Sequence, residues 1–136
     1  YGQANILGTV SESAGVPTGA IIERGSNVNG EYVKFADGTM ICKAEGAILS
    51  SVAITTATGS VFMSALQGII FPATFIDTPG VGATLRFISG SSDGVWMGLG
   101  GGDTDSGADI FRPRFFSSVS VTKDLFIKYV AKGRWF

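Results

Sequence analysis

The chain has 136 residues, a formal net charge of −1, no histidine, one cysteine, 20 glycines and only 15% charged residues. A near-neutral chain without clustered Lys and Arg offers no electrostatic footprint for a phosphate backbone, and the missing histidine with a single thiol excludes Ser-His-Asp and Cys-His catalysis, His-based metal sites and any intrachain disulfide. No apolar run reaches the roughly 20 residues that span a bilayer, so neither nucleic acid nor membrane insertion is expected.

One domain of ordinary size is expected. Glycine is used at about twice its average frequency of about 7%, which argues for many turns between short strands, because glycine is costly inside helices. The shortage of charge implies that part of the surface is hidden from water, most simply in a homo-oligomer. Beginning at Tyr1 and carrying no signal-like segment, the chain reads as a fragment of something longer.

Residues 1–29 are polar and small and show no sustained period. They read as a connector with one short apolar segment, Ala20 to Ile22, which either wraps a neighbouring chain or frays. Residues 30–136 read as the folded domain. "EYVKF-ADGT-MICK" sets two alternating runs, Glu31 to Phe35 and Met40 to Lys43, around Asp37-Gly38 and predicts a hairpin with a tight type I′ turn. Further β-rich stretches follow at Ala47 to Thr56, Ser60 to Leu66, Gly68 to Phe75, Gly82 to Ser89, Gly94 to Leu99, Ser117 to Val121 and Leu125 to Phe136, as in a sandwich. Pro72 and Pro79 fit edges or strand starts. In the last strand Leu125, Ile127, Tyr129 and Ala131 form the predicted core face, and Phe126, Lys128, Val130 and Lys132 face outward.

Two stretches carry a resemblance. "GAIIERGSNVNGEYVKFADGTMIC", Gly19 to Cys42, resembles a segment that recurs in tail-fibre and tail proteins of tailed phages, prophages and gene transfer agents. "IIFPATFIDTPGV", Ile69 to Val81, and the terminal "IKYVAKGRWF", Ile127 to Phe136, resemble the H-type lectin domain. The resemblance implies a small antiparallel β-sandwich, homotrimeric about a three-fold axis, that binds sugars in clefts between chains. It also implies an extracellular place, on a virion beside other tail-fibre domains. Sugar-binding members carry a polar aromatic and histidine grouping before the last strand, whereas "FFSSVSVTKD", Phe115 to Asp124, holds neither Trp nor His. Receptor contacts are therefore expected elsewhere.

Sugar recognition needs an apolar face for C–H stacking and planar polar groups for paired hydroxyls. Trp96 with the loop "GGDTDSGADIFRPR" supplies both, so Trp96, Asp103, Asp105, Asp109, Arg112 and Arg114 form the candidate receptor-binding set. The alternative is a solvated loop with Trp96 in the core. Asp103, Asp105, Gly107 and Asp109 follow a D-x-D-x-G-x-D spacing suited to Ca²⁺, but the bidentate Glu of a helix-loop-helix site is missing and no cofactor or metal is assigned. Paired loop aspartates also match the composition of a glycosidase, though nothing more. "TPGVGATLRFISG" and "GLGGGDTDSG" lack the order of a phosphate-binding loop. Cys42 reads as a small buried hydrophobe, and Trp135 and Phe136 as a seal on the core or the trimer seam. The sequence thus describes a non-enzymatic, lectin-like adhesin: a tail-fibre tip that trimerises and attaches to a bacterial surface glycan or glycoprotein. The alternatives are a structural trimerisation cap and a fragment of a polysaccharide depolymerase.

Overall fold

The computed structural model describes residues 6–87, 94–98 and 107–136. Over these residues the protein is nearly all β and its strands pair antiparallel. In chain order the strands are β1 (Glu12–Ser13), β2 (Val16–Pro17), β3 (Ile22–Asn27), β4 (Gly30–Phe35), β5 (Thr39–Ile54), β6 (Thr56–Thr58), β7 (Val61–Met63), β8 (Ile69–Ile70), β9 (Gly80–Phe87), β10 (Val95–Gly98), β11 (Ile110–Phe111), β12 (Arg114–Ser117) and β13 (Val121–Arg134). A five-stranded sheet has the order β3-β4-β5-β13-β9, and a four-stranded sheet the order β10-β12-β7-β6. β1 pairs with β2, and β8 with β11, as small separate ribbons.

The stretch 1–29, read as a connector, contributes more than an extended tail. β3 lies within it and pairs with β4 from Ile22↔Phe35 to Asn27↔Gly30. Its sequence, IERGSN, alternates poorly because an edge strand needs one covered face only in part. Ahead of it, β1 and β2 are joined by Ala14 and Gly15, both at positive φ, 50° and 82°. That is the tight-turn geometry expected at Asp37-Gly38.

The hairpin between β4 and β5 is present but built differently. Gly38 alone takes a positive φ, 97°, and its N–H donates to the Phe35 carbonyl at 3.1 Å. Asp37 instead uses its carboxylate to accept the Thr39 N–H at 2.8 Å, and those hydrogen bonds hold its pKa below the ordinary value. The C-terminus then fastens this turn. Trp135 donates its indole N–H to the Phe35 carbonyl at 2.7 Å and its backbone N–H to the Gly38 carbonyl at 2.9 Å, while the Arg134 guanidinium donates to the Asp37 carbonyl at 3.0 Å. Trp135 also packs against the core, as the seal predicted for it.

β5 and β13 form the central ladder, and two register shifts in it set the shape of the sheet. Between Tyr129↔Ala44 and Ile127↔Ala47, the pair Glu45 and Gly46 opposes the single Lys128. Between Leu125↔Leu49 and Lys123↔Val52, Ser50 and Ser51 oppose Asp124. Each is a β-bulge with the extra residue on β5. Ser51 takes a positive φ, 52°, at the second bulge, and its N–H donates to the Asp124 carboxylate at 2.6 Å. The bulges explain why Met40 to Lys43 and Ala47 to Thr56 read as separate strands. Met40, Cys42 and Ala44 face the core with even numbers, Ala47 and Leu49 with odd ones, and Val52 and Ile54 with even ones again. Strict alternation breaks at each insertion, yet one face stays apolar throughout.

β13 has no extra residue and keeps its period. Leu125, Ile127, Tyr129 and Ala131 are buried, as expected, whereas Lys128, Val130 and Lys132 are exposed. The four join Met40, Cys42, Val52 and Ile54 in one cluster with Ile69, Phe71, Phe75, Val95, Phe111 and Phe115 from the other strands and their connections. Full burial of each large member contributes about 1.5–3 kcal/mol. Cys42 is a buried free thiol whose Sγ lies 3.8 Å from the Ala73 carbonyl, and burial pushes its pKa up to about 11. Pro79 immediately precedes β9, and Pro72 follows β8 and accepts from the Asn27 side-chain amide at 2.8 Å. Gly68 to Phe75, expected as one strand, is extended only at Ile69–Ile70. Ser117 to Val121, expected as a strand of its own, spans the last residue of β12, a three-residue connection and the first residue of β13.

Candidate binding surface

The four-stranded sheet has an inner and an outer face. Along β12, Phe115 and Ser117 are fully buried, so Arg114 and Phe116 point the other way. Register does the same for β10: Trp96 pairs with Phe116 and Gly98 with Arg114, while Val95 pairs with Ser117 and is buried. On the far side of β12, Met63 of β7 pairs with Phe116. One outward row therefore runs Trp96, Phe116, Met63, with Arg114 beside it.

Trp96 is 45% exposed, which rules out the core position that was the alternative for it. Its ring stacks on that of Phe116, with centroids 6.0 Å apart and planes 17° from parallel. A cross-strand aromatic pair of this kind is worth about 0.5–1.5 kcal/mol beyond area burial and holds both rings to one orientation. Gly98 keeps the row open, because a Cβ there would stand 3.0 Å from Phe116 Cε2. Arg114 reaches Met63, its Nη1 lying 3.9 Å from the thioether sulfur. Its Nε is shut off from solvent and has no hydrogen-bond partner, and no carboxylate pairs with it among the described residues.

Of the six residues predicted to bind receptor, the structure brings Trp96 and Arg114 together on this face. Arg112 and Asp109 stand elsewhere, on the β11 side of the fold. The Arg112 guanidinium lies near Gly68, and the Asp109 backbone carbonyl accepts from Phe71 N–H at 2.9 Å, with the side chain exposed. Asp103 and Asp105 lie outside the described residues, and with them most of the D-x-D-x-G-x-D spacing. Among the described residues no group of three or more His, Cys, Asp and Glu is placed to hold a metal ion, and no helix is long and apolar enough to cross a membrane. Sequence reasoning missed Phe116 and Met63 as members of the face. Phe116 sits in "RFFSS", and only the burial of Phe115 decides which of two adjacent rings turns outward.

A second exposed region lies beside the first bulge of β5. Val28, Ile48 and Ile70 are 98%, 59% and 55% exposed. All three line an open hollow of about 480 Å³ together with Glu31, Lys43 and Glu45. The charges on its rim are already engaged with one another: Lys43 Nζ lies 3.5 Å from Glu31 and 3.9 Å from Glu45, and Lys128 Nζ lies 3.0 Å from Glu45.

No protein-family model, no curated protein and no solved structure matches this chain.

Proposed function

We propose that the chain is a non-catalytic binding module, a β-sandwich that trimerises at the tip of a phage tail fibre and attaches the virion to a bacterial surface glycan. One observation carries the reading: an exposed tryptophan held in a stack on Phe116, on a regular sheet and next to a guanidinium. Core tryptophans bury their rings. A solvent-facing stacked pair on a rigid support is the arrangement that C–H stacking on a pyranose requires, and an adjacent planar donor supplies direction. The core that the two larger sheets share supports the sandwich reading. The shortage of charge and the exposed Val28, Ile48 and Ile70, apolar surface open to a neighbouring copy, support trimerisation. Three weak equivalent sites on one particle would act together through effective concentration.

A structural cap is the second reading, favoured by the same apolar hollow, which suits assembly and requires no receptor. A glycan array separates the two. The tip reading expects binding that Trp96→Ala abolishes while the melting temperature falls only by the few degrees that loss of the Phe116 stack accounts for. A cap binds no glycan at any protein concentration, and sedimentation showing a stable folded monomer overturns the trimer in both readings.

A further inference from the structure

The Trp96 face is not electrically neutral. Arg114 carries a full charge at any physiological pH, and a guanidinium has five N–H donors. Among the described residues its Nη1 has only a thioether sulfur, a weak acceptor, at 3.9 Å, and its Nε has no partner. Three lysines of the five-stranded sheet contrast with it: Lys34 lies 3.9 Å from Glu23, and Lys43 and Lys128 share Glu45. A cation placed on an outward face without a carboxylate partner draws an anionic ligand. The same row offers only hydrocarbon and aromatic surface from Trp96, Phe116 and Met63, so the anion must be carried by a molecule with a flat C–H face.

We infer that the face selects an anionic saccharide, one bearing a carboxylate such as a uronic or sialic acid, with Trp96 stacking on the ring and Arg114 reading the charge. This rests on the glycan reading given above and goes further by naming the class of sugar. The carboxylate of a pyranuronic acid such as glucuronate is equatorial, at the ring's edge, so such a ring stacked on Trp96 directs it along the sheet. Among the described residues, Gly98, opposite Arg114 and lacking a side chain, leaves that approach uncovered.

The test is titration calorimetry of the full chain against a panel of uronate and sialate oligosaccharides, each paired with the same oligosaccharide after reduction of its carboxyl groups to hydroxymethyl. At least one acidic member is expected to bind tenfold or more tightly than its reduced partner, and Arg114→Gln is expected to remove that preference while leaving binding of the reduced form within twofold. Arg114→Lys, which keeps the charge and loses the planar fork, is expected to retain part of the preference. Thermal melts of each variant show that the fold is intact. Equal binding of acidic and reduced forms, both weakened by Trp96→Ala, overturns the inference and leaves the glycan reading standing. Equal weakening of both forms by Arg114→Gln also overturns it, because Arg114 would then only position Phe116. Binding of no member, acidic or neutral, overturns both.

Discussion

Replacing Tyr129 by Phe is expected to stabilise the protein. Tyr129 is 1% exposed, and its ring lies against Phe111 and Phe71, with centroids 5.1 Å and 5.8 Å away. Its hydroxyl has no hydrogen-bond partner, and burial, the larger cause, together with nearby Cys42, pushes its pKa up to about 12. A buried polar group left unsatisfied costs about 1–3 kcal/mol. Phenylalanine keeps every ring contact and removes that cost, at the expense of a void the size of one oxygen atom. The net gain is about 1 kcal/mol, which for a domain of this size raises Tm by about 3–4 °C. Urea unfolding followed by tryptophan fluorescence reads the change as a higher midpoint at unchanged slope. Tyr129→Ala is the companion variant: it also loses the ring and is expected to cost about 3–5 kcal/mol. A fall in midpoint for Tyr129→Phe would refute the reasoning, because it would mean that the hydroxyl has a partner in the folded protein.

Alkaline pH is expected to weaken the fold. Cys42 and Tyr129 ionise near 9.0 and 10.0 when unfolded but hold their protons to about 11 and about 12 when folded. Stability is therefore full below about pH 9 and declines between about pH 9 and 12 as the unfolded state alone loses protons, so the urea midpoint falls across that window and falls less in Tyr129→Phe. The Cys42 thiol is expected to react with a disulfide reagent only at the rate of unfolding, and rapid modification of the native protein would contradict its burial. Trp135→Phe is expected to cost about 1 kcal/mol, since it removes the indole N–H bond to the Phe35 carbonyl, which keeps only its bond from the Gly38 N–H, and chemical denaturation measures it. Asp124→Ala is expected to cost about 1 kcal/mol by freeing the Ser51 N–H at the second bulge, with faster amide exchange at Ser51 as the local signature.

What was legible in the sequence follows from which physical constraint was local. The two faces of β13 were readable from Leu125 to Lys132, where the odd positions are all apolar and both lysines fall at even ones, and the burial pattern follows that division. The hairpin was readable from Asp-Gly between alternating runs, although its turn type was not, because the choice depends on how many residues the C-terminus and the ladder leave in the loop. β3 was hidden because an edge strand built as IERGSN has too little apolar signal to stand out. β5 was divided in two because Glu45-Gly46 and Ser50-Ser51 look like breaks when periodicity is the criterion, and only the partner strand shows that they are insertions. In the candidate site, Trp96 and Arg114 were named for their chemistry and share a face because cross-strand register happens to align them. Asp109 and Arg112 were grouped with them by nearness in sequence, which the change of sheet between β11 and β12 does not preserve.

The two bulges give β5 a kind of slack. Elsewhere in the central ladder, removing one residue would turn every later side chain over, exposing the apolar set and burying the polar one. At Glu45-Gly46 or Ser50-Ser51 the same deletion would merely close the bulge, and Val52 and Ile54 would still point inward. The strand can therefore shorten by one residue at either place without inverting its pattern, at the cost of local twist. Length variants arising at these two positions should survive where identical deletions three residues away abolish folding.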